Sequence, residues 1–472
     1  MKTFRPQRLN RALKTILALF VMTGISSVYA QSNSGPTTSA SKPARTAQQT
    51  VGSAPKEETL ELTPEESAKY NEALELFNSQ DLQGALATLR ELTNGNPAAR
   101  PPRVIAAFWY SQLKNTRAAR IMLEMAVEED SNDPEAYFAL AEISLREGEL
   151  TAAELLTNKG SETLSKYNAN PTRKKSLQNK ELALKIAYST SRKRWKDVYN
   201  LLLVKIKADG ETADLDRACA NALFQLKQDS DARNMLLRAD KLANGEGLPA
   251  DAAMSQLYAA RGDLASAKKS LDSALKANPK STPVLLLSIT NALAENNLDA
   301  AWQLVQQLYQ EDKSVDVLKT YGKVALFRSD YKHAEAAFQE AVRQSPLDVE
   351  ASNGLALALC EQNNEEKGKR AVQYAAGNIQ KQQNNRDFLA TLGWVLYRTG
   401  QTEEAIKVLQ QSTADGQINA ASAYYFAVVL ADKGQPEEAK KFLTAALGTK
   451  LPFAKRAEAA ALLQKIEQAT QK

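Results

Sequence analysis

A small residue returns about every 34 positions, eleven times, along this 472-residue chain. The anchors are Ala85, Ala119, Ala153, Val198, Ala232, Ala267, Ala301, Ala334, Gly368, Ala405 and Ala439. The steps between them are 34, 34, 45, 34, 35, 34, 33, 34, 37 and 34 residues. A period of this size marks two-helix units, each too small to bury its apolar face alone, so the chain is expected to stack them into an all-α solenoid. The same inference bears on function, because such stacks generally bind other molecules and seldom catalyse.

Further positions keep the beat. Four residues after the anchor comes an apolar residue, as at Leu89, Leu123, Leu202, Leu271, Val305, Phe338 and Leu443. Seven after it a small residue recurs, as at Ala126, Gly160, Ala274 and Ala341, and twelve before it Ala107, Ala141, Ala220, Gly322, Ala356 and Gly393. Offsets of four and seven share one helical face, so the small residues let paired helices approach while the larger ones fill the space between units. Pro97, Pro279 and Pro346 each lie twelve residues past an anchor, where one helix must stop and the next unit begin.

The clearest unit reads Leu318, Tyr321, Gly322 and Ala325, then Tyr331, Ala334, Phe338, Ala341 and Pro346. Others read Tyr137, Leu140, Ala141, Gly148, Leu150 and Ala153, and Leu389, Leu392, Gly393, Gly400 and Ala405. On these residues, over 59–448, the chain resembles the tetratricopeptide-repeat family. Ile186 and Ile289 depart from the pattern where the first helix has a small residue; Val198 departs at an anchor, and Thr157 four beyond one. The resemblance implies a right-handed superhelical solenoid of about eleven helix-turn-helix repeats, with first helices lining a concave groove. Residues 449–472, with Ala459, Leu462, Leu463 and Ile466 at helical spacing, are expected to form a capping helix.

Residues 1–30 read as an export signal, with Lys2, Arg5, Arg8, Arg11 and Lys14 before an apolar Ile16–Val28 run and cleavage after Val28-Tyr29-Ala30. The run is short and interrupted for an anchoring helix, and the mature chain is expected to have no transmembrane span. Gln31, not a cysteine, follows the cleavage point and no twin-arginine pair precedes it, so ordinary secretory export to the periplasm is expected. Residues 31–58, rich in Ser, Thr, Ala, Pro and Gln, read as a tether.

The net charge of +5 invites a nucleic-acid reading, which the signal removes. Without residues 1–30, 55 of the 60 basic residues remain against 55 acidic ones, and a neutral chain lacks the basic excess that phosphate binding needs. One basic stripe persists: Arg173, Lys174, Lys175 and Lys180 beside the long 45-residue step, then Arg192, Lys193, Arg194 and Lys196. It reads as a solvated loop or as a surface for an anionic partner. Cys219 and Cys360 fall in units that are not neighbours, so both are read as small core residues rather than a disulfide.

Catalytic candidates are few. His333, the one histidine, precedes an anchor with no partner constellation, and no C-x-x-C, H-E-x-x-H or phosphate-loop spacing occurs. No enzyme activity, cofactor or metal is expected. The family's spacing implies groove positions at Phe108, Asn221, Phe224, Lys319, Lys323, Asn353, Trp394, Tyr397 and Tyr424. Lys319, Lys323 and Asn353 form a polar set suited to an acidic segment or a terminal carboxylate. Trp394, Tyr397 and Tyr424 offer an aromatic platform for a peptide or a sugar ring, or else helix-packing core. Two functions follow: an exported scaffold holding envelope or secretion proteins, or a direct polysaccharide binder.

Overall fold

The computed structural model describes residues 63–94, 99–244, 247–383, 385–413, 419–449 and 452–470. The expected signal (1–30), the expected tether (31–58) and Pro97 lie outside the described residues. The described residues form 23 helices and no strand. The chain divides into two compact units, Met1–Glu246 and Gly247–Lys472, a division that the uniform period does not announce.

The first unit holds five antiparallel hairpins: α1 (Pro64–Asn78) with α2 (Leu82–Thr93), α3 (Pro102–Gln112) with α4 (Thr116–Glu129), and α5 (Pro134–Arg146) with α6 (Leu150–Lys166). Then come α7 (Pro171–Ser191) with α8 (Trp195–Asp209), and α9 (Ala213–Gln225) with α10 (Asp229–Leu242). The second unit holds six: α11 (Ala250–Arg261) with α12 (Leu264–Ala277), α13 (Thr282–Ala294) with α14 (Leu298–Glu311), and α15 (Val315–Phe327) with α16 (Tyr331–Gln344). It continues with α17 (Val349–Cys360) and α18 (Glu365–Lys381), α19 (Arg386–Arg398) and α20 (Thr402–Thr413), and α21 (Ala420–Asp432) and α22 (Pro436–Gly448). A last helix, α23 (Arg456–Thr470), buries Ala459 and Ile466 in the core cluster of the final hairpin.

Local chemistry starts these helices where the period puts them. Asp81, Asn115, Asp263, Asn297 and Asn364, each four before an anchor, accept a backbone N–H from the first turn at 2.8 to 3.2 Å. Pro64, Pro102, Pro134 and Pro171 open first helices, where the missing N–H costs nothing. All eleven anchors are buried.

Each hairpin turns through one residue with positive φ, five before its anchor. Glycine fills the position at Gly148, Gly262, Gly400 and Gly434; side-chain residues fill it at Gln80, Lys114, Lys193, Lys227, Asn296, Ser329 and Asn363. The left-handed conformation costs an L-residue about 1–2 kcal/mol, so the hairpin contacts impose it seven times against local preference.

Glycines elsewhere make room for rings. Phe338 of α16 sits between Gly322 of α15 and Gly354 of α17; a Cβ at Gly354 would lie 2.3 Å from its Cε1, and one at Gly322 2.6 Å from its Cε2. Phe138 occupies a like position against Gly160, where a Cβ would lie 2.5 Å away.

The 45-residue step is not a loop. Its extra residues lengthen α6 to 17 residues and α7 to 21, with the Asn170 side chain capping α7 by accepting the Arg173 N–H at 3.0 Å. Thr157 keeps its place in the core because its hydroxyl donates to the Ala153 carbonyl at 2.7 Å. Cys219 and Cys360 are buried and free, and burial, with Asp216 nearby, pushes the Cys219 thiol up to about 12.

Candidate functional site

From the second hairpin onward, first helices are the more buried member of each hairpin. In α17, Ala351, Ser352, Gly354, Leu355, Ala356, Ala358, Leu359 and Cys360 are buried, whereas α18 buries Gly368, Ala371, Ala375 and Asn378. The α19 helix of the next hairpin and the segment before α23 converge on one carboxylate, Glu361, the residue that closes α17. Its side chain is 8% exposed and accepts the Trp394 Nε1–H of α19 at 3.0 Å. The Lys455 ammonium lies 3.6 Å away and the Arg398 guanidinium 3.9 Å. Lys455 precedes α23 in sequence, yet its ammonium donates to the Tyr331 hydroxyl of α16 at 2.6 Å, beyond the edge of that ring. Burial works against its charge, but Glu361 and Tyr331 outweigh it and hold its pKa above the usual lysine value.

Aromatic rings wall this cluster. Trp394 stacks on Tyr425 with centroids 4.7 Å apart and planes 16° from parallel, and Arg398 lies 5.8 Å over the Trp394 ring. Tyr424 lies 6.0 Å from Trp394 and 6.3 Å from Phe453, which enters from the segment before α23. The Tyr397 hydroxyl donates to Asp432, and burial together with that carboxylate pushes the phenol up to about 12. Burial pushes Tyr424 to about 12 as well.

The structure therefore brings Trp394, Tyr397 and Tyr424 together, but not as an open platform. Trp394 is 3% exposed and Tyr424 7%, so of the two readings of these rings the packing one describes them. Trp394 stacks on Tyr425 and is almost fully covered, which leaves a sugar ring no open face to stack on. Phe224 is likewise buried rather than groove-facing.

The polar set separates. Lys319, 20% exposed, meets Asp316 at 3.2 Å, Asp348 at 3.0 Å and Glu350 at 3.1 Å, so it links neighbouring hairpins and is no free cation for an incoming carboxylate. Lys323 is exposed and makes no ion pair among the described residues. Asn353 of α17 is half-buried, and its Oδ1 has no hydrogen-bond donor.

The basic stripe is also corrected, because its arginines face carboxylates of the preceding hairpin. Arg173, 12% exposed, pairs with Asp133 at 2.6 Å and Glu135 at 2.8 Å. Burial pushes the Asp133 carboxyl up despite that pairing, whereas Arg100 and Arg173 outweigh burial and hold Glu135 down. Arg192 and Arg194 both reach Glu154, at 3.1 and 2.6 Å. Lys174 donates to Asn168 at 2.9 Å and Lys180 pairs with Glu142 at 3.2 Å, leaving exposed Lys175 on one segment and exposed Lys193 and Lys196 on another. With its arginines paired inside the repeats, the stripe is not a continuous basic surface.

Among the described residues, no group of three or more His, Cys, Asp or Glu is placed to hold a metal, and no helix is long and apolar enough to cross a membrane. His333 is an exposed helix residue whose Nδ1 meets Asp330 at 2.6 Å. Sequence reasoning missed Glu361, Tyr331, Tyr425, Phe453 and Lys455. Only Phe453, an aromatic just ahead of the capping helix, carried a visible signal.

Stacked helical hairpins with buried first helices define an α-solenoid of the protein-binding kind. The tetratricopeptide repeat family model matches residues 322–376 and 391–455, which identifies those repeats of the second unit as tetratricopeptide repeats. Among solved structures, a tetratricopeptide repeat protein from Parabacteroides merdae aligns at 15% identity and a TM-score of 0.42, over 57% of this chain and 98% of its own. Yeast Tom70 aligns at 13% identity and 0.34, over 86% and 96%. PilW, a type IV pilus biogenesis factor, aligns at 16% identity and 0.35, over 46% and 96%. Such values lend nothing to a functional assignment. No curated protein matches the sequence significantly.

Proposed function

We propose that this chain is an exported, non-catalytic scaffold of the cell envelope that holds a partner polypeptide along its first helices. The observation that carries the reading is the stack of paired helices itself, whose repeats match the tetratricopeptide repeat model over 322–376 and 391–455 and present first helices to a binding groove. Lys323, exposed on the preceding first helix and without an ion pair among the described residues, adds a charge for an acidic side chain of the same partner. Export rests on the basic and apolar order of residues 1–30. A role in secretion, polysaccharide export or envelope assembly is the compartment's implication.

The test is a photo-crosslinking amino acid placed in the full-length protein in living cells at position 323, 353 or, on the second helix α18, 369. Capture of the same polypeptide from 323 and 353 but not from 369 is the expected result. Equal capture from all three, or capture of polysaccharide alone, refutes the scaffold reading. The mature form should begin at Gln31 and fractionate outside the cytoplasm.

A further inference from the structure

The segment before α23 behaves like a ligand of the repeats that precede it. Phe453 is buried beside Tyr424, and Lys455 reaches a hydroxyl 124 residues earlier in the chain. Together they place one aromatic ring and one ammonium, two residues apart, the ring against Tyr424 and the ammonium against Tyr331 and Glu361. An ammonium held between a hydroxyl acceptor and a mostly buried carboxylate is the chemistry of a site that reads lysine.

Two features let the segment leave without dismantling the site. Glu361 keeps the Trp394 Nε1–H at 3.0 Å and Arg398 at 3.9 Å, so the carboxylate stays compensated once Lys455 withdraws. The capping helix has footings of its own: Ala459 and Ile466 in the core, and Arg456 donating to the Leu447 and Thr449 carbonyls at 2.7 and 3.0 Å. The contacts of Lys455, with Glu361, Tyr331 and Glu458, are all ones that water and counterions can replace.

We propose that the Tyr331–Glu361–Trp394 cluster is a docking site for a partner polypeptide segment with an aromatic residue two positions before a lysine, and that Phe453 and Lys455 occupy it as an internal competitor. The proposal deepens the scaffold reading and rests on it. An internal ligand on a short connection has a high effective concentration, so a partner must outbid it or the segment must first be released.

The probe is a fluorescent peptide of residues 449–460, titrated by anisotropy into three full-length proteins: wild type, F453A/K455A, and F453A/K455A/E361Q. The emptied double variant should bind at least tenfold tighter than wild type, and E361Q should reverse the gain. No binding to the double variant, with its helical circular dichroism intact, overturns the proposal. Hydrogen exchange of the wild-type chain supplies a second readout that needs no variant. Amides of 453–456 should exchange faster than those of α17 and α19, and exchange in step with them would mark a permanent part of the core and overturn it. If the peptide fails while residues 323 and 353 still capture a polypeptide, the lysine site falls and the scaffold reading stands.

Discussion

Replacing Gly354 with alanine tests how tightly successive repeats are keyed. The added Cβ would lie 2.3, 2.4 and 2.7 Å from three carbons of the Phe338 ring. Carbon atoms rest about 3.5–4.0 Å apart, so the ring would have to retreat by about 1 Å or more. It has nowhere to go, because Gly322 flanks the opposite edge, where a Cβ would lie only 2.6 Å away. Overpacking a tight core costs about 1–3 kcal/mol, and a ring held from both sides belongs at the upper end, so we expect a loss of about 3 kcal/mol. Phe338→Leu alone should cost about 1 kcal/mol through lost volume. Together with Gly354→Ala it removes the clash, giving a coupling energy of about 2 kcal/mol in the double-mutant cycle. Urea unfolding followed by far-UV circular dichroism gives the overall loss, and amide exchange in α16 and α17 shows whether it falls there. A Gly354→Ala change below about 0.5 kcal/mol, or strictly additive mutations, would refute the keyed packing.

Other perturbations discriminate further. At the left-handed turn position, Gly148→Ala should destabilise by about 1 kcal/mol, since no atom lies within 4 Å of the new Cβ and only backbone strain acts. Lys114→Gly, at the same repeat position, should stabilise by about 0.5 kcal/mol once the entropy of glycine is set against relieved strain; equal signs in urea melts would contradict the assignment. Arg173→Ala leaves Asp133 and Glu135 buried without their shared partner and should cost about 3–5 kcal/mol in the first unit, with heparin affinity unchanged. Trp394→Ala should lower thermal stability by about 3–5 kcal/mol and leave glycan-array signals as they were. The phenol of Tyr397 is raised from 10.0 to about 12, so it favours the folded state fully below pH 10 and progressively less as pH climbs toward 12. Tyrosinate absorbance should show the late ionisation, and Tyr397→Phe should flatten the pH dependence of the urea midpoint over that window.

The hairpin stack was readable from the sequence because its determinants repeat. An alanine that must be small to admit a second helix leaves a mark at every recurrence, and all eleven anchors are buried. The left-handed turn recurs as faithfully in the backbone but not in residue type, since only four of its eleven residues are glycine. The sites were less legible for a different reason. Arg173, Arg192 and Arg194 form a basic stripe in sequence, yet their carboxylate partners lie about 40 positions earlier, one repeat back, where no local pattern joins them. Trp394 has the spacing of a groove residue, but the stack that buries it involves Tyr425 rather than the Tyr424 that the same spacing picks out. Glu361 and Lys455 are single charges in charged surroundings, and only the path of the chain makes them a pair.

The Lys455–Tyr331 contact also changes how the second unit comes apart. A linear array of repeats melts like a zipper, each hairpin held only by the ones beside it, and frays inward from its end. A chord between residues 124 apart turns the last four hairpins into a closed circuit, whose opening releases the loop entropy of the whole span at once. Shutting the latch should make these hairpins melt more nearly as one block than they do with it open. The steepness of that unit's unfolding transition is therefore a direct gauge of how much of the time the latch is shut.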